Sequence, residues 1–240
     1  METSELIFSA LEQISGGIRK DLEAGELSFC YRDFQNNVSC VAGKLLKYAD
    51  ELCLYNKAFD LVGADDKESI VRRHIFDSIC GVPVFVRTAL EIGGKTGTGK
   101  RFRIADAGSG AGFPGIPLAL VFPWWDFYLI ERMSKRCTFL ETMAAVLSLK
   151  NVKIINSDIE KSPEKKFDIV TFRAFRPLEK KITASVLSLK GDGGKILAYK
   201  AKSGKIMEEM GGIKDLVPDY KVFPVSNPLF PESERNIVVF

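Results

Sequence analysis

The chain has a single histidine, and its five cysteines (Cys30, Cys40, Cys53, Cys80 and Cys137) form an odd set with no C-x-x-C spacing. One histidine argues against a His-rich metal centre. The cysteines read as reduced thiols of a cytoplasmic protein, mostly packing residues, with no zinc site. No apolar run approaches the ~20 residues that a membrane span needs. Met1-Glu2-Thr3-Ser4-Glu5 lacks the basic opening of a secretory signal. Internal repeats and low-complexity tracts are missing as well. What is there, 240 residues with 46% hydrophobic and 27% charged content, suits a soluble globular chain of one ordinary domain plus an appendage. Net charge is only +3, but it is uneven: Lys161 to Lys214 holds thirteen Lys/Arg against six Asp/Glu. Such a face either favours a polyanion or is simply solvated.

Residues 1 to about 80 carry helical periodicity and no strand alternation. Glu5–Ile14 places Leu6, Ile7, Ala10, Leu11 and Ile14 on one side, with Ser4 as N-cap. Val38–Leu54 and Asp66–Cys80 repeat the pattern. Gly93 to Lys100 is a loop by composition. Gly94-x-x-x-x-Gly99-Lys100 comes close to a P-loop, but Arg101 stands where Ser or Thr should hold magnesium, and the segment precedes a strand rather than following one. An exposed connection is the better account.

After Arg101 strands and helices alternate. Strands are expected at Phe102–Ala107, Trp125–Glu131, Val152–Asn156, Phe167–Phe172 and Lys195–Tyr199. Helices fall at Ile116–Val121, Lys135–Leu149 and Leu178–Leu189. Two last strands, Tyr220–Val225 and Asn236–Phe240, have no long helix between them and read as an antiparallel hairpin. The expected fold is α/β, a doubly wound Rossmann-like parallel sheet with ligands at its carboxyl edge and a hairpin closing one side. That addition is what the class I S-adenosylmethionine-dependent methyltransferase plan makes.

The most informative stretch is Asp106-Ala-Gly108-Ser-Gly110-Ala-Gly112-Phe113-Pro-Gly115, a strand end, a glycine-rich loop and a helix start. Glycine is needed where the backbone takes positive φ or a ligand comes close. Loop N–H groups and the helix start suit a carboxylate or phosphate. An adenosine-bearing cofactor follows, either nicotinamide or methyl donor. Gly110-x-Gly112-x-x-Gly115 satisfies the dinucleotide fingerprint, but it begins two residues late and contains Pro114. In the other register Asp106 precedes Gly108-x-Gly110-x-Gly112, the methyltransferase pattern. Glu131 ends the second strand, about 20 residues on, where a carboxylate can accept from both ribose hydroxyls of either cofactor. Ser157-Asp158-Ile159-Glu160 follows the third strand, where adenine is usually met. Asp158 and Glu160 could equally be capping or solvated residues.

The order and spacing of several separated motifs resemble the RsmG (GidB) family of small-subunit rRNA methyltransferases. They are Arg73-His74-Ile-Phe-Asp77-Ser78, Asp106 to Pro117 with its Gly-Phe-Pro-Gly-Ile-Pro ending, Lys135-Arg136 with Phe139-Leu140, and Arg173-Ala-Phe175. The resemblance implies a helical N-terminal extension (1–80) on a methyltransferase domain (81–240). It also implies S-adenosyl-L-methionine as cofactor and N7 of one guanine in bacterial 16S rRNA as target. The expected partner is 16S rRNA or a small-subunit assembly intermediate, met in the cytoplasm by a monomer, with no metal and no membrane. Carried over by position, cofactor contact falls to Gly108, Phe113, Glu131, Ile159, Glu160 and Arg173, joined by Asp106 and Gly110 from the loop pattern. Lys200 corresponds to a family lysine near the substrate pocket. The chain departs from the family at Tyr55-Asn56-x-x-x-Asp60-Leu61-Val62, at Asp158 and at Tyr199-Lys200-Ala201, which bears on pocket detail.

Guanine N7 has an in-plane lone pair and no proton to lose, so this reaction needs no general base, and no catalytic residue of that kind is assigned. Arg173 and Lys200 are the positioning candidates. Adenine N6 chemistry would favour an Asn/Asp-Pro-Pro-aromatic motif after strand four, and cytosine C5 chemistry would want a cysteine there; Phe172-Arg173-Ala174-Phe175 is neither. Arg73, Lys135, Arg136, Arg176, Lys200 and Lys202 are candidate phosphate contacts. His74 is either structural or at the edge of the site, and Phe175 either holds the base or packs the core. The rival functions are an NAD-dependent oxidoreductase on the same sheet and a non-catalytic RNA-binding module.

Overall fold

The computed structural model describes residues 3–22, 28–64, 66–93, 101–173 and 177–240. The helical part opens with α1 (Thr3–Leu22) and α2 (Ser28–Phe59), which pack against each other. Of the apolar stripes read from the sequence, Ile7, Ala10 and Leu11 of α1 and Leu45, Ala49 and Leu52 of α2 are all buried in one core cluster.

The helix expected over 66–80 is broken into three. Asp66 caps α3 (Lys67–Ile70) by accepting from Ser69 N–H, a π-turn spans Val71–Ile75, and α4 (Phe76–Ile79) completes the run. The i→i+5 bond that marks the π-turn is donated by Phe76 N–H to Val71 O. Inserting one residue per turn displaces side chains from the α-helical face, a distortion common at functional sites. Helix α5 (Val82–Gly93), nearly all apolar and buried over its first half, leads to the sheet.

The sheet has seven strands in the order β3-β2-β1-β4-β5-β7-β6. They are β1 (Arg103–Ala107), β2 (Asp126–Glu131), β3 (Val152–Asn156), β4 (Phe167–Arg173), β5 (Lys190–Lys200), β6 (Lys221–Pro224) and β7 (Asn236–Val239). The first five pair in parallel, while β7 is antiparallel to both β5 and β6. The closing hairpin is therefore inserted with its second strand inward. Helices α6 (Gly115–Val121), α7 (Ser134–Val146) and α8 (Lys180–Leu187) follow β1, β2 and β4. Helix α9 (Ser203–Gly212), between β5 and β6, has no counterpart in the sequence reading; only Ile206 and Met210 of it are buried.

Apolar clusters cover both faces of the sheet. One joins α1, α2, α5 and α6 to residues of β1 and β2; the other packs Phe172, Val186, Ile206 and Met210 on the opposite face. Strand order reverses between β1 and β4, so the carboxyl ends of β1 and β2 open onto the crevice where this class of sheet binds ligands.

Candidate functional site

The loop leaving β1 is built for close approach. Gly108, Gly110 and Gly112 have φ of 76°, 59° and 100°. At Gly112 a Cβ would sit 2.5 Å from Ile116 Cδ1 and 3.0 Å from Tyr48 Oη, so a side chain is excluded by space as well as by backbone.

The loop's amides are nevertheless used internally, a departure from the expectation that they face an anion. Gly108 and Ser109 N–H donate to Ile130 O, Gly112 and Phe113 N–H to Ser109 O, and Ile116 N–H to Gly112 O. Gly110 N–H donates to Glu131 Oε2 at 3.0 Å.

Asp106 is also placed differently from the expectation. It is fully buried behind the loop, off the cavity surface, and its Oδ2 accepts from Gly115 N–H at 3.0 Å. Burial pushes its carboxyl up to about 7. Its work is to fasten the helix start to the strand end.

A cavity of about 540 Å³ lies against this loop. Gly108, Gly110 and Phe113 line it, with Glu131 at the end of β2, Ser157 to Glu160 after β3, and Arg173 at the end of β4. Glu131 is buried; its Oε1 accepts from Met133 N–H at 2.9 Å while Oε2 takes Gly110 N–H. Each carboxylate oxygen retains acceptor capacity beyond that one bond. Ile159 is buried and offers an apolar face, and Glu160 Oε1 accepts from Ser185 Oγ at 3.2 Å.

The sequence reading missed Lys181, Ile182 and Ser185 of α8 and Leu61 and Val62 ahead of α3, which form two further walls. Leu61 and Val62 had a signal in the Tyr55 to Val62 motif; α8 had none, because only the strand order brings it here. Asn56 shapes the 61–64 wall with all its polar valences: Nδ2 donates to Val62 O and Ala64 O, and Oδ1 accepts from Leu61 and Val62 N–H.

Arg173 is the hub. Its Nη1 donates to Asp77 Oδ2 at 3.0 Å and to Arg73 O at 3.2 Å, its Nη2 meets His74 Nδ1 at 3.0 Å, and its guanidinium lies 5.0 Å over the Phe113 ring. Asp77 Oδ1 is paired with Arg235 Nε. A guanidinium can only donate, so His74 Nδ1 accepts and the imidazole proton sits on Nε2. Burial, reinforced by Arg173, pulls His74 down to about 4, so the ring is neutral. It stacks on Phe113 with centroids 5.3 Å apart. Among the described residues His74 Nε2 and Arg173 Nε are buried without a hydrogen-bond partner. Two orphaned donors beside a glycine cradle fit an anionic or carbonyl group of a ligand.

A second cavity of about 570 Å³ adjoins the first, and Arg173 lines both. Arg73, Lys200, Lys202, Lys205 and Arg235 give it a basic lining, and Phe172, Tyr199 and Ile206 an apolar one. His74 and Arg136 line the first cavity and Arg73 and Lys200 the second. Lys135 is exposed on α7 and lines neither of these two cavities. Phe175 and Arg176, and the near-P-loop at 94–100, lie outside the described residues. Among the described residues no group of three or more His, Cys, Asp or Glu could hold a metal ion, and no helix is long and apolar enough to cross a membrane.

Residues 42–237 match the GidB family, described as rRNA small subunit methyltransferase G. Ribosomal RNA small subunit methyltransferase G of Treponema denticola is 42% identical over 82% of this chain and 85% of that protein. Its namesake in Borrelia garinii is 36% identical over 88% of this chain and 91% of that protein. Among solved structures, the N-terminal domain of human METTL16 in complex with SAH superposes with a TM-score of 0.53 at 14% identity, over 67% of this chain and 69% of that one; the likeness is one of fold.

Proposed function

The chain belongs to the GidB family, rRNA small subunit methyltransferase G, and on that premise we propose that it methylates N7 of one guanine in 16S rRNA. It is a methyltransferase of ribosomal RNA that uses S-adenosylmethionine. When bound, that cofactor supplies an activated methyl group on sulfonium sulfur.

The observation that carries the reading is the pair of adjoining cavities with Arg173 between them, one lined by the glycine loop and Glu131 and the other basic. In the first, Glu131 takes the ribose hydroxyls, Ile159 and Glu160 meet the adenine, and the donors of His74 and Arg173 answer the carboxylate end. Arg73, Lys200 and Lys202 hold RNA around the second, and Arg136 reaches phosphate from the rim of the first. Guanine N7 loses no proton, so the residues between the cavities have only to hold the base and exclude water. Neutral His74 is no obstacle to that task. The base must arrive unstacked, from a loop or an open assembly intermediate. Residues 1–80 act as an extension of the methyltransferase domain at 81–240, which they serve by supplying His74 and Asp77. We place the protein in the cytoplasm as a monomer.

The test is methyl mapping on 16S rRNA from cells with and without the gene, joined to transfer of labelled methyl to under-methylated small subunits. One guanine N7 should be lost without the gene and restored by the protein. A methyl at another atom, or none, overturns the reading. Titration with S-adenosylhomocysteine and NAD(H) excludes the oxidoreductase if only the former binds. Salt-sensitive RNA binding without transfer would point to the non-catalytic module.

A further inference from the structure

The second cavity contains a charged pair in which Lys200 meets Glu209, and Glu209 has no role so far. Lys200 ends β5 and Glu209 lies on α9; Lys200 Nζ is 2.5 Å from Glu209 Oε2, and the two side chains are only 13% and 9% exposed. Leu178 N–H donates to the same Oε2 at 3.0 Å. Both residues line the cavity beside Ile206, Phe172 and Tyr199. As a stabilising device a buried ion pair is poor, because desolvation consumes most of the attraction. As a hydrogen-bonding edge it is well formed, with a fixed cationic donor beside a fixed anionic acceptor in an apolar surround.

Guanine presents a matching edge. Along its Watson–Crick side lie one acceptor, O6, and two donors, N1–H and the exocyclic amine. Adenine presents a donor and then an acceptor, and would set its N1 lone pair against a carboxylate. We propose that Glu209 and Lys200 read the Watson–Crick edge of the target base, Glu209 accepting from N1–H and the amine and Lys200 donating to O6. The assignment rests on the guanine-N7 reading above. It is consistent with that reading, because N7 lies on the far side of the ring from the amine. Arg73, Lys202 and Lys205 are exposed where the same cavity meets solvent, where a splayed nucleotide needs cations for its phosphates.

The experiment compares two RNAs of one sequence, carrying guanine or inosine at the mapped target. Inosine keeps N7 and N1–H and lacks only the amine. Wild-type protein should lose about 10- to 100-fold in kcat/KM on inosine, the effect of one hydrogen bond to a charged group. Glu209→Met should lose a similar factor on guanine and then treat the two RNAs within about threefold, because no acceptor for the amine is left. Unchanged discrimination by the variant overturns the assignment, and so does a wild-type protein indifferent to the amine. Should Glu209→Met fail to fold because Lys200 is left unpaired, Lys200→Met/Glu209→Met replaces the pair without stranding a charge and must show the same loss of discrimination. Product mapping separates the two readings. Methyl at N7 with discrimination indifferent to Glu209 overturns this assignment alone; methyl elsewhere overturns both.

Discussion

His74 is the only histidine of the chain, which makes its state directly measurable. Burial and Arg173 hold the ring neutral down to about 4, and Arg173 Nη2 against Nδ1 fixes the proton on Nε2. Imidazole NMR of uniformly labelled protein should show one Nε2–H tautomer across pH 5.5–8, titrating near 4. A midpoint near 6.5 would mean that the ring is not in this network. The sign for stability follows. Below about 6.5 the unfolded chain takes up a proton that the folded chain refuses until about 4, so this group lowers stability as pH falls through that window and has no effect above it. Glu131 offers a second residue-level test. Both its oxygens hold backbone N–H groups of the cavity wall. Glu131→Gln should weaken S-adenosylhomocysteine binding about 10- to 100-fold by calorimetry while RNA affinity stays within about twofold. Unchanged cofactor affinity would remove Glu131 from the ribose role.

At the scale of elements, the 61–64 segment is a cavity wall with no regular structure of its own, and Asn56 at the end of α2 supplies its four side-chain bonds, of 2.7 to 3.0 Å. Asn56→Ala should cost about 2–3 kcal/mol in urea unfolding and weaken cofactor binding through displaced Leu61 and Val62. Asn56→Asp, which keeps the acceptor and loses the donors, should fall between. A variant as stable as the parent would show that the wall holds itself. Legibility also divides at this scale. The seven strands, the glycine loop and Glu131 could be read because each depends on local pattern, on alternation, on positive φ and on the position of an acid at a strand end. The break at Val71–Ile75 could not, since 66–80 has unbroken helical periodicity and the π-turn is imposed where Arg72 and His74 bond across to other elements. Helix α9 escaped because it buries only two side chains, too few for a periodic signal. Asp106 was read as a contact on type and position alone, which cannot distinguish the lining of a cavity from the packing behind it.

Across the whole molecule, the helical part, the central strand β4 and the closing hairpin meet at one carboxylate. Asp77 on α4 pairs with Arg173, 96 residues on at the end of β4, and with Arg235, 158 residues on just before β7. All three side chains are largely buried. No local pattern could have announced such a clamp, since its members share only the fold. It also sets the geometry between the cavities, because Arg173 faces both and orients His74. Asp77→Asn preserves shape and removes charge, leaving two guanidinium groups against a neutral amide. Loss of one partner from a buried ionic cluster costs about 3–5 kcal/mol, so urea unfolding should show a loss of that size with an unchanged m-value. Methyl transfer should fall further than the folded fraction explains, because Arg173 is freed in the molecules that remain folded. Adding Arg235→Met should recover part of the stability by removing the stranded charge, and leave transfer low, because Arg173 still lacks its anchor. A double variant that is worse than the sum of its parts, or Asp77→Asn within about 1 kcal/mol of the parent, would show that apolar packing alone joins the helices to the sheet and that Asp77 merely tunes the cavity.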